Sequence, residues 1–158
     1  MFPIPWYVAA FVSVPEAFLI LAIAMRMMEI EKVDYKKVFL ISVIQGIITL
    51  VIRRISMEVS QYFLSSFHTV ILMTTLVLMC SLLCGVKLQT CFIPIFVVTV
   101  IYGFIQYIMV LSVISWLRMP IFILQQLPWL DVLLFFPVAA LTVLIFYLFK
   151  RLNMFEGL

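Results

Sequence analysis

The chain has 158 residues, of which 67% are hydrophobic and 11% charged, and a formal net charge of +3. A water-soluble domain is nearer half apolar and about a quarter charged, so the composition excludes a soluble globular fold. The length leaves no room for a soluble catalytic module beside a membrane domain, and the small net charge does not point to nucleic acid.

Several runs approach or exceed the roughly 18–20 apolar residues that cross a bilayer. The expectation is an all-α, polytopic membrane helical bundle of about five transmembrane helices, forming a single membrane domain over residues 1–158. The first span covers residues 5–27, with Trp6 and Tyr7 where an interfacial aromatic belt would place them. It lacks the basic start and small-residue cleavage site of a signal peptide and reads as a retained helix. After the hydrophilic "MEIEKVDYKK", the second span covers residues 38–52. It is short for a crossing but extendable through the stems of Lys36 and Lys37.

The stretch "RRISMEVSQYFLSSFHT", residues 53–69, is the densest polar cluster of the chain. Ile55, Val59, Tyr62 and Phe63 recur at helical spacing, opposite Arg54, Glu58, Gln61 and Ser65. That pattern predicts a helix lying in the interface with its apolar side down. The third span covers residues 67–83 and ends at Gly85 and Lys87. The fourth, residues 88–117, exceeds the usual length and carries Pro94 and Gly103, which predicts tilt or a kink. "RMPIFILQQLPW" holds two prolines and makes a poor continuous helix. Its apolar Ile121, Phe122, Ile123 and Leu124 are expected to rest on the membrane. The fifth span covers residues 130–149 and ends at Lys150 and Arg151.

Five spans place Arg26, Lys32, Lys36, Lys37, Lys87, Lys150 and Arg151 on one side and Arg53, Arg54 and Arg118 on the other. Basic residues accumulate on the cytoplasmic side, so the N-terminus is expected outside and the C-terminus in the cytoplasm.

Ionisable groups within spans are costly and point to function by default. Glu16 in "SVPEAF" lies about eleven residues into its helix, hence about 16 Å deep. Pro15 beside it leaves a backbone carbonyl one turn back without its donor, so a kink and a polar pocket are expected there. Gln45 lies at comparable depth on the second span, where it is placed to hydrogen-bond Glu16, and Gly46 permits close helix approach. Gln106 is expected closer to the outer side, near Tyr102 and Tyr107. Two readings of Glu16 stand side by side. It is either a neutral packing group, protonated or bonded to Gln45, or the counter-charge of Arg53, Arg54 or a cationic ligand. His68 stands at the outer mouth of the third span near Ser65 and Ser66, and Asp131 reads as a cap of the fifth.

Enzyme chemistry finds no support in the residues. Cys80 is twelve residues, about 18 Å, from His68 on a continuous helix and Cys84 is further, beyond the reach of an activated nucleophile. Cys80, Cys84 and Cys91 read as buried small residues in helices. There is no HExxH, no metal cluster, no carboxylate pair and no Gly-rich phosphate loop. A non-enzymatic protein with neither metal nor cofactor is expected.

Pro15–Glu16 in the first helix, Arg53–Arg54 after the second and His68–Thr69 at the start of the third give the first half of the chain a family likeness. It resembles the membrane sensor region of Firmicute peptide-sensing histidine kinases of the accessory-gene-regulator type. Those proteins carry a kinase after their membrane region, whereas this sequence runs out at "KRLNMFEGL" without a phosphoacceptor histidine or ATP-binding domain. The resemblance therefore implies a sensor-like module of a bacterial cytoplasmic membrane that binds a hydrophobic or peptide ligand at its outer face. Its partners would be the lipid bilayer and a membrane protein or a second copy. Arg53, Arg54 and His68 would contribute charge, and Glu16 with Gln45 would be the responding pair. A small transporter subunit using the level of Glu16, Gln45 and Gln106, or a structural accessory subunit, are the alternatives.

Overall fold

The structure, a computed structural model, describes residues 5–30, 33–59, 63–118 and 127–151, with side chains placed at all of these except 55–59, 63–68 and 150. Among the described residues the fold is all helix. Five rods follow one another: α1 (Trp6–Met27), α2 (Tyr35–Val59), α3 (Phe63–Cys84), α4 (Leu88–Leu117) and α5 (Pro128–Arg151). α1, α2, α4 and α5 are each long and apolar enough to cross a membrane, and α3 contributes the shorter apolar stretch Thr69–Cys84. The chain is a multi-pass helical membrane bundle.

Local chemistry sets the helix ends. Asp34 caps α2, its carboxylate accepting the backbone N–H groups of Lys36 at 3.1 Å and Lys37 at 3.4 Å. The second helix therefore starts at Tyr35 and takes Lys36 and Lys37 into its first turn, earlier than the expected residue 38. At its other end α2 runs unbroken through Arg53 and Arg54 to Val59. The expected interfacial helix is instead, up to Val59, the continuation of the second span. The physical reason is plain: neither Gly nor Pro occurs between Gly46 and Gly85 to stop it. α3 likewise begins four residues before the expected residue 67. It stops at Gly85, whose φ of +70° suits only glycine comfortably and whose N–H closes on Ser81 O at 3.1 Å. α4 matches its expected limits and continues through Pro94. At 30 residues it is about 45 Å long, more than a hydrocarbon core of about 30 Å. Pro128 opens α5 at the position where its missing N–H costs nothing. The expected membrane-resting loop at Ile121–Leu124, and the side chains of Ile55, Glu58, Val59, Gln61, Tyr62, Phe63, Ser65 and His68, lie outside the described residues.

α1 is the central rod, packed on α2, α4 and α5, while α3 fills the gap between α2 and α4. The half of the bundle nearest residues 28–30 and 85–87 is tightly filled. Leu21, Ala24 and Met25 of α1 meet Val38 and Ile41 of α2, Cys80 of α3, and Cys91, Ile95 and Val98 of α4. Cys80 and Cys91 are fully buried with Sγ atoms 3.7 Å apart, and Cys84 is half-buried, in keeping with small packing residues. Hydroxyls inside the bundle satisfy themselves on their own helices: Ser42 donates to Val38 O, Thr49 to Gln45 O, Thr99 to Ile95 O and Thr142 to Val138 O. Such bonds spare a polar group an unsatisfied place in an apolar surround.

The outer surfaces of the rods carry Phe11, Phe39, Ile47, Leu82 and Phe104, the apolar coat that lipid requires. All three tryptophans, Trp6, Trp116 and Trp129, are exposed and sit at one end of the bundle, at the start of α1, the end of α4 and the start of α5. They mark one membrane interface. Glu16 on α1 and Gln106 on α4 are each ten residues, about 15 Å, below that belt.

Candidate functional site

The half of the bundle nearer the tryptophans packs Val8, Val12, Ile105 and Leu134 but leaves a space beside them. Between α1, α2, α3 and α4 lies a cavity of about 230 Å³. Each helix turns one stripe toward it. On α2 the stripe is Gln45, Thr49 and Arg53 at intervals of four. On α4 it is Thr99, Tyr102, Gly103 and Gln106, and on α1 Ser13, Glu16, Ala17 and Ile20. α3 supplies Thr69 above an apolar wall of Leu72, Met73 and Leu76.

The approach of α1 is unusual. Ala9–Ser13 form a π segment in which Val14 N–H bonds Ala9 O, five residues back. Pro15 follows at once; it has no N–H to give Phe11 O, and its ring needs room against that carbonyl. The wider turn relieves both demands, so the expected kink takes the form of a π-bulge, a feature frequent at functional sites. Gly46 of α2 lies against this bulge: a Cβ there would stand 2.5 Å from Val14 Cγ2. The close approach expected of Gly46 is present, and it brings Glu16 and the α2 stripe to the same cavity.

Gln45 is engaged differently from expectation. Its Nε2 donates to Leu72 O at 2.7 Å and its Oε1 accepts from Thr75 Oγ1 at 3.1 Å, so it clasps α2 to α3. Among the described residues no hydrogen bond joins Gln45 to Glu16, although both line the cavity. The side-chain amide is taken up by a carbonyl and a hydroxyl of α3, which lie within its reach.

Arg53 also faces the cavity, and its charge acts on Glu16 across it. Arg53 has a further interaction of its own. Among the described residues no direct ion pair forms between Arg53 and Glu16. Arg54, one residue on and about 100° around the helix, is exposed and does not line the cavity, so the two arginines are separated. Gln106 lines the cavity beside Tyr102, while Tyr107 faces outward at 62% exposure. His68 lies on the first turns of α3, next to Thr69; its side chain is outside the described residues.

Asp131 is the residue that sequence reading undervalues. It lies inside the first turn of α5 rather than at the cap. It lines a slot of about 10 Å³ with Val12, Tyr102 and Gln106, the size of a single water site. The field of Arg53 reaches it too. Tyr102, only 2% exposed, forms part of both spaces. The cavity and the adjoining slot thus bring two carboxyl groups, one guanidinium and two amides into one region of the bundle. Among the described residues no group of three or more His, Cys, Asp or Glu side chains is placed to hold a metal ion.

Fold and site together define a multi-pass helical membrane protein with a charged cavity among its helices. Comparison with protein-family models, curated proteins and solved structures finds no match for the chain.

Proposed function

We propose that this chain is a non-enzymatic module of a bacterial cytoplasmic membrane that binds a small ligand in the four-helix cavity. The ligand enters from the tryptophan-marked outer side, and occupancy is passed to a partner membrane protein. The observation that carries the reading is that Glu16 of α1 and Arg53 of α2 line one cavity among the helices. A bundle selected only for packing would fill such a space with apolar side chains, because buried charges are costly and weak evidence for stability. The sensor resemblance adds support. Of its three dipeptides, Glu16, Arg53 and Thr69 all line this one cavity. The role expected of both arginines falls to Arg53 alone.

Transport is the second reading, favoured by one feature: the π-bulge and Pro15 interrupt α1 beside the site, as broken helices do at the midplane sites of many transporters. In-cell crosslinking followed by mass spectrometry, together with flux assays in proteoliposomes, tests the proposal. A recurrent membrane partner and ligand binding without flux are expected. Counterflow of a bound solute would establish transport instead, and a partner without ligand binding would reduce the chain to a scaffold.

A further inference from the structure

We infer that the cavity takes a small zwitterion carrying an ammonium and a carboxylate, of the size and kind of an aliphatic α-amino acid, with its ammonium toward Glu16 and its carboxylate toward Arg53. The inference rests on the ligand-binding reading above and gives that site its chemistry.

Three observations converge. The first is the arrangement of charge. Glu16 on α1 and Arg53 on α2 face one space and attract each other across it, yet do not close into an ion pair. Across a gap this attraction acts without the hydrogen bonds of a closed pair. A ligand with both charges replaces it by two short charge-assisted hydrogen bonds. A ligand with one charge satisfies one wall and is repelled by the other. Arg53 remains competent although it is engaged elsewhere, because a guanidinium carries five N–H donors in a fixed fork.

The second is size. About 230 Å³ exceeds an engineered apolar cavity of about 150 Å³ that holds benzene, and so admits on the order of ten non-hydrogen atoms. A single amino acid fits; a peptide of several residues does not. The space is therefore too small for the body of the peptide ligand that the family resemblance implied.

The third is the character of the remaining walls. Leu72, Met73 and Leu76 on α3, with Ala17 and Ile20 on α1, form an apolar side that suits an aliphatic chain. Gln106 and Thr99 on α4 offer neutral polar groups on the other. An apolar lining with a few placed polar groups is the usual build of a small-molecule site.

The test uses the full chain in lipid nanodiscs and three probes: leucine, leucine methyl ester, which keeps only the positive charge, and N-acetyl-leucine, which keeps only the negative. Isothermal titration should show leucine binding at least tenfold more tightly than either blocked form. Glu16→Gln should weaken leucine while sparing N-acetyl-leucine, and Arg53→Gln should weaken leucine while sparing the methyl ester. Equal or tighter binding of a blocked form to the wild-type chain overturns the zwitterion and leaves the cavity as a binding site for a singly charged ligand. No binding of any probe overturns the zwitterion, and the crosslinking and flux assays then decide the broader reading by themselves. If either variant fails to fold, the comparison of the three probes on the wild-type chain decides between these outcomes.

Discussion

Gly46 and Val14 fix how closely α1 and α2 approach: a Cβ at residue 46 would meet Val14 Cγ2 at 2.5 Å, with Ala9 O a further neighbour at 3.7 Å. The contact sits on the π-bulge, so any added bulk pushes directly on the turn that leads into Glu16. Gly46→Ala should therefore lower stability by about 1–3 kcal/mol, the range for overpacking. Thermal unfolding in detergent measures it. Adding Val14→Ala in the same chain should restore most of the loss, because the obstructing atom is a side-chain methyl. A Gly46→Ala variant as stable as the wild type would show that the two helices do not approach in this way.

Gln45 and Glu16 should separate cleanly under mutation. Gln45→Leu removes the clasp on Leu72 and Thr75, and interhelical hydrogen bonds in membranes average only about 0.6 kcal/mol. A small fall in melting temperature is expected. Glu16→Gln removes no hydrogen bond to Gln45 and relieves any charge that costs at least about 2.5 kcal/mol at a helix centre. It should unfold no earlier than the wild type, yet lose leucine binding. A Glu16→Gln chain that binds leucine normally would return Glu16 to a packing role.

Adjacent arginines should behave unlike each other. Arg54 is exposed, so Arg54→Gln should change stability by no more than about 0.5 kcal/mol and leave binding intact. Arg53 faces the cavity, so Arg53→Gln should reduce leucine affinity at least tenfold. Equal effects of the two substitutions, read by titration, would contradict the division of the pair.

Orientation has its own check. Lys87 in the turn between α3 and α4 and Arg118 at the end of α4 are both exposed and lie at opposite ends of a 30-residue helix. In a background lacking native cysteines, a membrane-impermeant thiol reagent added to intact cells should label Arg118→Cys and spare Lys87→Cys. The reverse pattern would invert the expected topology and place the tryptophan belt in the cytoplasm.

Hydropathy makes the rods legible where they end at strong local signals. Gly85 and Lys87 separate α3 from α4, and the limits of α4 are readable to the residue. The α2–α3 connection is harder, because Arg53, Arg54 and Glu58 look like loop chemistry in the sequence. Charge does not stop a helix in the absence of Gly or Pro, and α2 continues through it. The spacing of Gln45, Thr49 and Arg53 at four-residue intervals is the signal that Arg53 belongs to the same face. The π-bulge is only half visible: Pro15 announces a disturbance, but its form depends on Gly46 of another helix. The bond from Gln45 to Leu72, and the turning of Asp131 toward Tyr102, depend on which neighbour lies nearer in space, which helical spacing does not encode.

A polar cavity among α1, α2, α3 and α4, proposed to open outward, is the feature on which everything else rests. The most direct measurement of it is labelling by a small, membrane-impermeant thiol reagent, with Cys80, Cys84 and Cys91 replaced by alanine and single cysteines introduced one at a time. Thr49→Cys and Thr99→Cys lie on the cavity wall, whereas Ser42→Cys lies at a fully buried position outside it. Reagent added outside should modify the first two, leave the third untouched, and be slowed by excess leucine. If Thr49→Cys and Thr99→Cys are as silent as Ser42→Cys, or react only from the cytoplasmic side, no such cavity opens outward.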